Sequence, residues 1–193
     1  MKVAVVGTGS IGGVLGRALA GAGHTVVFGS RHPDDDDVAG SSSARVASLS
    51  DALSGADAVI LAVPGAAVAE VVSSHSEALA GKLVIDATNR MGAPATNARA
   101  ELPPSVRYAR AFNTLGGENM ADPQFADGPA DMFFSAPEAD RAAVEEIVAG
   151  VGLRPVYVGA DQEELVDALF RLWIALAVGQ GWGRRLALRV LQG

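Results

Sequence analysis

The chain has no cysteine, so disulfides, thiolate nucleophiles and zinc–cysteine sites are all excluded. Aromatic residues make up only 5% of it, which leaves little for stacking nucleic-acid bases. Cations are outnumbered: 15 Lys and Arg stand against 22 Asp and Glu, for a formal charge of −7. A chain with that balance lacks the basic surface that general binding to nucleic acid or to an anionic membrane requires. Long apolar runs are missing too. The most apolar late stretch, 168–178, is interrupted by Arg171 and is far short of the ~20 residues that span a bilayer. Met1 leads directly into an apolar run with no leader-like segment before it. The expectation is a cytoplasmic protein with no membrane or nucleic-acid partner.

What is present is a chain of 193 residues, 49% hydrophobic and rich in Ala, Val and Gly. One domain of that length buries about 70% of its unfolded surface. It opens with Lys2-Val3-Ala4-Val5-Val6, continues through Gly7-Thr8-Gly9-Ser10-Ile11-Gly12, and enters the periodic stretch Val14 to Ala20. Strand, GxGxxG turn and helix in that order give the glycines a mechanism. Gly7 allows the tight turn, Gly9 lets a pyrophosphate approach the backbone, and Gly12 lets the helix pack closely on its strand. Free N–H groups at the helix start, with the helix dipole, favour the phosphate charge.

The second apolar run, Thr25-Val26-Val27-Phe28, ends in Gly29-Ser30-Arg31. An NAD site usually carries Asp or Glu here, accepting from the ribose 2′-hydroxyl. A hydroxyl beside a guanidinium would instead bind a 2′-phosphate, so Ser30 and Arg31 point to NADP(H). The plain alternative for Arg31 is a solvated charge at a strand end. Asp34, Asp35, Asp36 and Asp37 follow after His32 and Pro33, reading as a solvated loop that weakens the positive potential nearby.

The rest of the chain alternates strand with helix. Strands are expected at Arg45–Ala47, Asp57–Val63, Lys82–Ala87, Arg107–Phe112, Asp131–Ser135 and Leu153–Val158, the last at an edge because of Pro155. Helices are expected over Leu49–Leu53, Ala66–Leu79 and Pro137–Ala149, and the chain from Asp161 to Leu191 is expected to be helical with a break near Gly179-Gln180-Gly181. This predicts an α/β Rossmann-type parallel sheet with helices on both faces, as a single domain over 1–193, with a C-terminal helical segment over 161–191 closing the cleft. Ligands of such sheets sit beyond the carboxyl ends of the strands. Those ends gather Gly7–Ile11, Gly29–Arg31, Val63-Pro64, Thr88–Met91 and Phe112–Thr114 into one candidate site. Leu165, Leu169, Leu172, Leu176 and Trp173 give the late helix enough apolar surface to suggest a homodimer.

The strand ends offer orienting amides, such as Asn89 and Asn113, but no tuned acid or base and no metal-ligand spacing, so no catalytic or metal residue is assigned. Reduction of a simple carbonyl needs a proton donor near the new alkoxide. Ring-to-ring hydride transfer needs chiefly two stacked rings shielded from water. The expected partner is a small-molecule redox acceptor, placed in a cleft bounded by Asn89–Met91, Phe112–Thr114 and the helix bearing Trp173. A small carbonyl or imine reductase, and a non-catalytic NADP-binding module, are the other readings.

On these residues the chain resembles the family of NADP oxidoreductases dependent on the deazaflavin coenzyme F420. The resemblance rests on Gly7 to Gly12, on Gly23 to Arg31, on Ala111-Phe112-Asn113-Thr114, and on Gly152-Leu153-Arg154-Pro155 with Glu164 to Asp167. Through Asn89-Arg90 and the Phe112-Asn113 turn it is also similar to the oxidoreductase domain of the six-transmembrane epithelial antigen metalloreductases. The resemblance implies that Ser30 and Arg31 hold the 2′-phosphate, and that Thr8, Gly9, Ser10 and Ile11 hold the pyrophosphate. It also implies that Val63, Pro64, Ala111, Phe112 and Asn113 line the nicotinamide side, and that coenzyme F420 or a flavin is the second substrate. The deazaflavin enzymes tend to carry another basic residue after the Arg, where this chain has Asp34 and Asp35.

Overall fold

The computed structural model describes residues 1–35, 38, 44–90 and 97–193. Asp36, Asp37, the Ser41-Ser42-Ser43 stretch and Met91 therefore lie outside the described residues.

Six parallel strands form the main sheet: β1 (Lys2–Val6), β2 (Thr25–Ser30), β3 (Ala44–Ser48), β4 (Ala58–Leu61), β5 (Leu83–Asp86) and β6 (Arg107–Arg110), in the order β3-β2-β1-β4-β5-β6. This is the doubly wound order, whose direction reverses between β1 and β4 and opens a crevice there. The central strands β1, β4 and β5 are almost wholly apolar because both their faces are covered, whereas the outer strands β3 and β6 carry Arg45, Arg107 and Arg110. Val3, Val5, Phe28, Ile60 and Ile85 face one core, together with helix α1 (Ser10–Gly21). Ala4, Val6, Val59, Leu61 and Val84 face the other, beneath α2 (Leu49–Leu53), α3 (Val68–Ser74) and α4 (Ser76–Leu79). α1 lies close to the sheet because Gly16 has no side chain; a Cβ there would sit 2.2 Å from Cζ of Phe28.

The later strands are not simple extensions of this sheet. After α5 (Gly117–Ala121) comes a short hairpin, β7 (Gln124–Phe125) with β8 (Gly128–Pro129), which the sequence reading missed. β9 (Asp131–Phe134) pairs in parallel with β10 (Arg154–Tyr157) across helix α6 (Arg141–Gly150). The pair joins the main sheet through one antiparallel bridge, Arg110 with Ser135. Among the described residues β10 has β9 as its one strand neighbour, the edge position that Pro155 predicts.

Two helical expectations need correction. The helix expected over Ala66–Leu79 breaks at His75, whose φ of −130° lies outside the helical region. The C-terminal segment is helical only through α7 (Glu163–Ile174) and a wider turn at Ala175–Gly179. Gly181 and Gly183 then take φ of +70° and +85°, and residues 180–193 run back over the protein without helix. Asn119 Nδ2 donates to the carbonyls of Arg184 and Leu186, Arg184 pairs with Glu118, and the Val190 N–H donates to Asp131. Trp173 is buried, its indole N–H donating to the Leu186 carbonyl at 2.8 Å, so it seals α7 to this strap and presents no ring to a cleft or a partner. No helix among the described residues is long and apolar enough to cross a membrane.

Candidate functional site

A cavity of about 660 Å³ opens at the carboxyl ends of β1, β2, β3 and β4. Its floor is the Gly7–Gly9 turn, and Ser30, Arg31 and His32 border it from the end of β2. Val63 and Pro64 enter from the end of β4.

Three glycines of the turn have different reasons to be glycine. Gly7 has φ of +113°, and a Cβ there would lie 2.5 Å from the Ala62 carbonyl oxygen. At Gly12 a Cβ would lie 2.0 Å from the Gly7 carbonyl oxygen. Both are required by the fold. Gly9 is different: its φ is −68°, open to any residue, and a Cβ would meet nothing within 4 Å. Nothing among the described residues demands glycine there. The open space lies at the N-cap of α1, a 12-residue helix whose first turn has no acidic side chain and no capping side chain. The leading N–H groups of such a helix have no intrahelical partner and attract an anion. The turn thus fits a pyrophosphate by shape and by charge.

The end of β2 fits a further phosphate. Ser30 Oγ accepts from the His32 N–H at 3.1 Å, which leaves its own proton to donate outward. Arg31 is exposed and has no ion-pair partner among the described residues, while Asp34, also exposed, stays unpaired with it. Ser48, by contrast, is committed: its hydroxyl donates to Asp51 Oδ2 and accepts from the Asp51 N–H.

The other expected site residues lie elsewhere. Ser10, Ile11 and Gly12 continue into α1, outside the cavity lining. Asn89, Ala111, Phe112 and Asn113 gather at the ends of β5 and β6 and do not line the same cavity. There the dominant feature is a buried charge network centred on Arg110, which is completely enclosed. Its guanidinium donates to Asp167 Oδ1 at 2.8 Å, to the carbonyls of Asp86 and Thr88 at 3.1 and 2.6 Å, and to Asn89 Oδ1 at 3.1 Å. Asp86, its register partner on β5, accepts from Thr88, Ala98 and Tyr108. Burial above all, then the Asp86 carboxylate, pushes the Tyr108 phenol well above its ordinary range, so it stays a neutral donor.

This network positions the amides. Asn89 Nδ2 donates to the Asn113 carbonyl at 3.0 Å, and Asn113 Nδ2 points to Asp167 Oδ1 at 3.3 Å. Because Asp167 belongs to α7, the C-terminal helix is tied directly to the β6 strand end. Asn113 Oδ1 is buried with no partner among the described residues. Such an acceptor costs about 1–3 kcal/mol unless a donor reaches it. Phe112 departs from expectation: it has a left-handed φ of +62°, and its ring is 1% exposed in the core. The backbone at this strand end, not the ring, is what the site can use. Arg110 and Asp167 were missed because isolated charges are ordinarily solvated. The legible signal was an Arg placed inside the apolar strand Tyr108–Phe112, level with Asp86.

Residues 2–90 match the model of the family described as NADP oxidoreductase, coenzyme F420-dependent. The stretch covers the phosphate turn, Ser30-Arg31 and Asn89. Over its whole length the chain is also similar to the crystal structure of a presumed F420-dependent NADP reductase from Arthrobacter sp. FB24, at 26% identity and a TM-score of 0.81, with all of both chains covered. Among curated proteins it is similar to the glycerol-3-phosphate dehydrogenase [NAD(P)+] of Chlorobium phaeobacteroides, 28% identical over 93% of this chain. The rat metalloreductase STEAP3 is 27% identical over 82% of it. The chain spans 60% and 34% of those two proteins. The resemblance to the F420-dependent and metalloreductase groups read from the sequence is thus shown, and the family model and the glycerol-3-phosphate dehydrogenase both name NAD(P)-linked oxidoreductases.

Proposed function

We propose that this protein is an NADP(H)-dependent oxidoreductase that passes hydride between the nicotinamide and a planar redox ring of the deazaflavin (coenzyme F420) or flavin class. The observation that carries the reading is Gly9. It is the one glycine of the turn that neither backbone angle nor packing requires, and it faces open space between a helix N-terminus and the pair Ser30 and Arg31.

NADPH, when bound, supplies the hydride and carries the bond-making chemistry. The chain's own residues bind, orient and shield. The Gly7–Gly12 turn and the first N–H groups of α1 hold the pyrophosphate. The free proton of Ser30 and the guanidinium of Arg31 take the 2′-phosphate, the latter as a charge-assisted contact. Val63 and Pro64 wall the cavity at the end of β4. Beyond them Asn89, Ala111, Phe112 and Asn113 present the strand ends toward the nicotinamide, held in register by Arg110 and Asp167. The helix bearing Asp167 covers that end and excludes water. The acceptor class follows from what this end offers. Its charged groups, Arg110 with Asp86 and Asp167, and the neutral Tyr108 phenol are committed to one another; the amides of Asn89 and Asn113 beside them can orient a ring but do not protonate an alkoxide.

The test is calorimetric titration with NADPH and NADH. NADPH should bind much more tightly. Arg31→Ala should weaken NADPH by about 1.5–3 kcal/mol, the scale of a hydrogen bond to a charged group, and leave NADH nearly unchanged. Equal affinities in the wild type would overturn the assignment of Ser30 and Arg31.

A further inference from the structure

Beyond the phosphate contacts, the cavity has a second wall that neither the motif nor the resemblance assigns. It is built by α3 and the break after it: Ala67, Glu70, Val71 and His75 line it, with exposed Ser74 at the rim. This wall and the Ser30-Arg31 end line one and the same cavity, with Ser48, Leu49 and Ser50 beside them. A dinucleotide with its 2′-phosphate on Arg31 carries its base on the same ribose and can lay it in this cavity against α3.

The chemistry of this wall is one-sided. Ala67 and Val71 are apolar and suit a purine face. Glu70 is an acceptor when ionised. His75 Nδ1 lies 3.0 Å from the Val71 carbonyl oxygen. A carbonyl can only accept, so Nδ1 carries the proton, and Nε2 of the neutral ring is a bare acceptor. The ring is held in place rather than free. His75 is where the helix stops, with φ of −130° and ψ of 21°, its backbone N–H bonded to the Val72 carbonyl and its side chain to Val71.

We propose that His75 Nε2 accepts from the 6-amino group of the purine and makes this cavity selective for adenine dinucleotides over 6-oxopurine ones. The inference rests on the cofactor reading above. Adenine offers an N–H at position 6, which completes a hydrogen bond with Nε2. Hypoxanthine offers a carbonyl oxygen at the same place. Two acceptors would then face each other, with Glu70 adding a third.

The experiment compares NADPH with its reduced hypoxanthine analogue, deamino-NADPH, by titration of the wild type and of His75→Leu and Glu77→Gln. The wild type should bind NADPH about five- to tenfold more tightly than the analogue, the worth of one hydrogen bond. His75→Leu should bring that ratio close to one, by weakening NADPH and relieving the facing acceptors in the analogue complex, and Glu77→Gln, an exposed residue outside the cavity lining, should leave it unchanged. Circular dichroism checks that His75→Leu is folded, and the wild-type ratio stands as a test that needs no variant. Equal wild-type affinities for the two, or a ratio retained in folded His75→Leu, would overturn the assignment. Titration with 2′,5′-ADP separates the two levels of failure. If neither it nor NADPH binds, the cofactor reading falls and this inference with it. If both bind with no base preference, only the role of His75 falls.

Discussion

Replacing Gly9 with valine separates the demands of the fold from those of a ligand. At φ of −68° a valine meets no backbone penalty, and its Cβ would have no atom of the described residues within 4 Å. Two small stability terms oppose each other. Valine is a poor N-cap residue, costing about 0.5–1 kcal/mol relative to glycine. Loss of glycine's freedom in the unfolded chain returns about 0.4–1 kcal/mol. The net lies within about 0.5 kcal/mol, so Tm should move by less than about 2 °C in a chain of this size. Binding is another matter. The branched side chain occupies the space over the helix N-terminus and holds the pyrophosphate away from N–H groups worth about 1.5–3 kcal/mol each. Loss of two such contacts weakens NADPH by more than about 100-fold. Gly12→Ala is the control with the opposite profile. Its Cβ would lie 2.0 Å from the Gly7 carbonyl oxygen, so the turn itself must shift. That costs at least about 2 kcal/mol and lowers Tm by about 4–8 °C. Differential scanning fluorimetry and calorimetric titration on both variants decide the matter. A folded Gly9→Val protein that binds NADPH like the wild type would refute the assignment of this turn to the pyrophosphate.

Three further outcomes are expected. Asp167→Ala leaves Arg110 with one of its two carboxylates and should destabilise the fold by about 3–5 kcal/mol, seen as a fall in the urea midpoint; an unchanged midpoint would show the network contributes nothing. His24 is buried, and burial first, then the charge of the N-terminal amine, lowers its pKa below the ordinary value. The fold therefore favours the neutral ring, so this contribution is fully present above the ordinary histidine pKa and is lost as pH falls through it; His24→Gln should flatten the acid side of the stability profile, and an unaltered slope between about pH 7 and 5 would count against it. The homodimer expected from the C-terminal helix narrows to Leu165 and Leu172, which are 49% and 46% exposed, because Trp173 is sealed inside its own chain; a monomeric mass by light scattering at micromolar concentration would remove that expectation.

Where the sequence was legible, one physical rule dominated. The inner strands β1, β4 and β5 are buried on both faces, so each reads as a near-continuous apolar run, and the alternation of strand with helix implies parallel pairing through right-handed crossovers. That the glycine turn and the Ser30-Arg31 end border one cavity was legible because the order strand, GxGxxG, helix places them at neighbouring strand ends. Tertiary effects were not. The helix after β4 looked continuous because Ala66 to Leu79 keeps an apolar face. Yet the Ser73-Ser74-His75-Ser76 run competes for the backbone, and the His75 ring takes a carbonyl of the last helical turn. The C-terminal strap kept enough Leu and Ala to read as helix, but Gly181 and Gly183 release it, and partners distant in sequence, Asn119 and Asp131, hold it. Phe112 looked like a ring for the site because the motif surrounds it, whereas its left-handed backbone turns the side chain into the core. The cavity accordingly unites only the β1 to β4 ends, and the β5 and β6 ends form a separate hydrogen-bonded cluster.

The central claim is that NADPH held here delivers hydride to a stacked ring. Steady-state oxidation of NADPH across a panel of coenzyme F420, FMN, FAD and small carbonyl and imine compounds tests it most directly. The account predicts turnover with a deazaflavin or flavin, far slower turnover with NADH, and none with the carbonyl or imine compounds. Turnover with a carbonyl or imine compound alone would contradict the stacked-ring reading. Tight NADPH binding with no turnover on any acceptor would contradict catalysis itself and leave a cofactor-binding module.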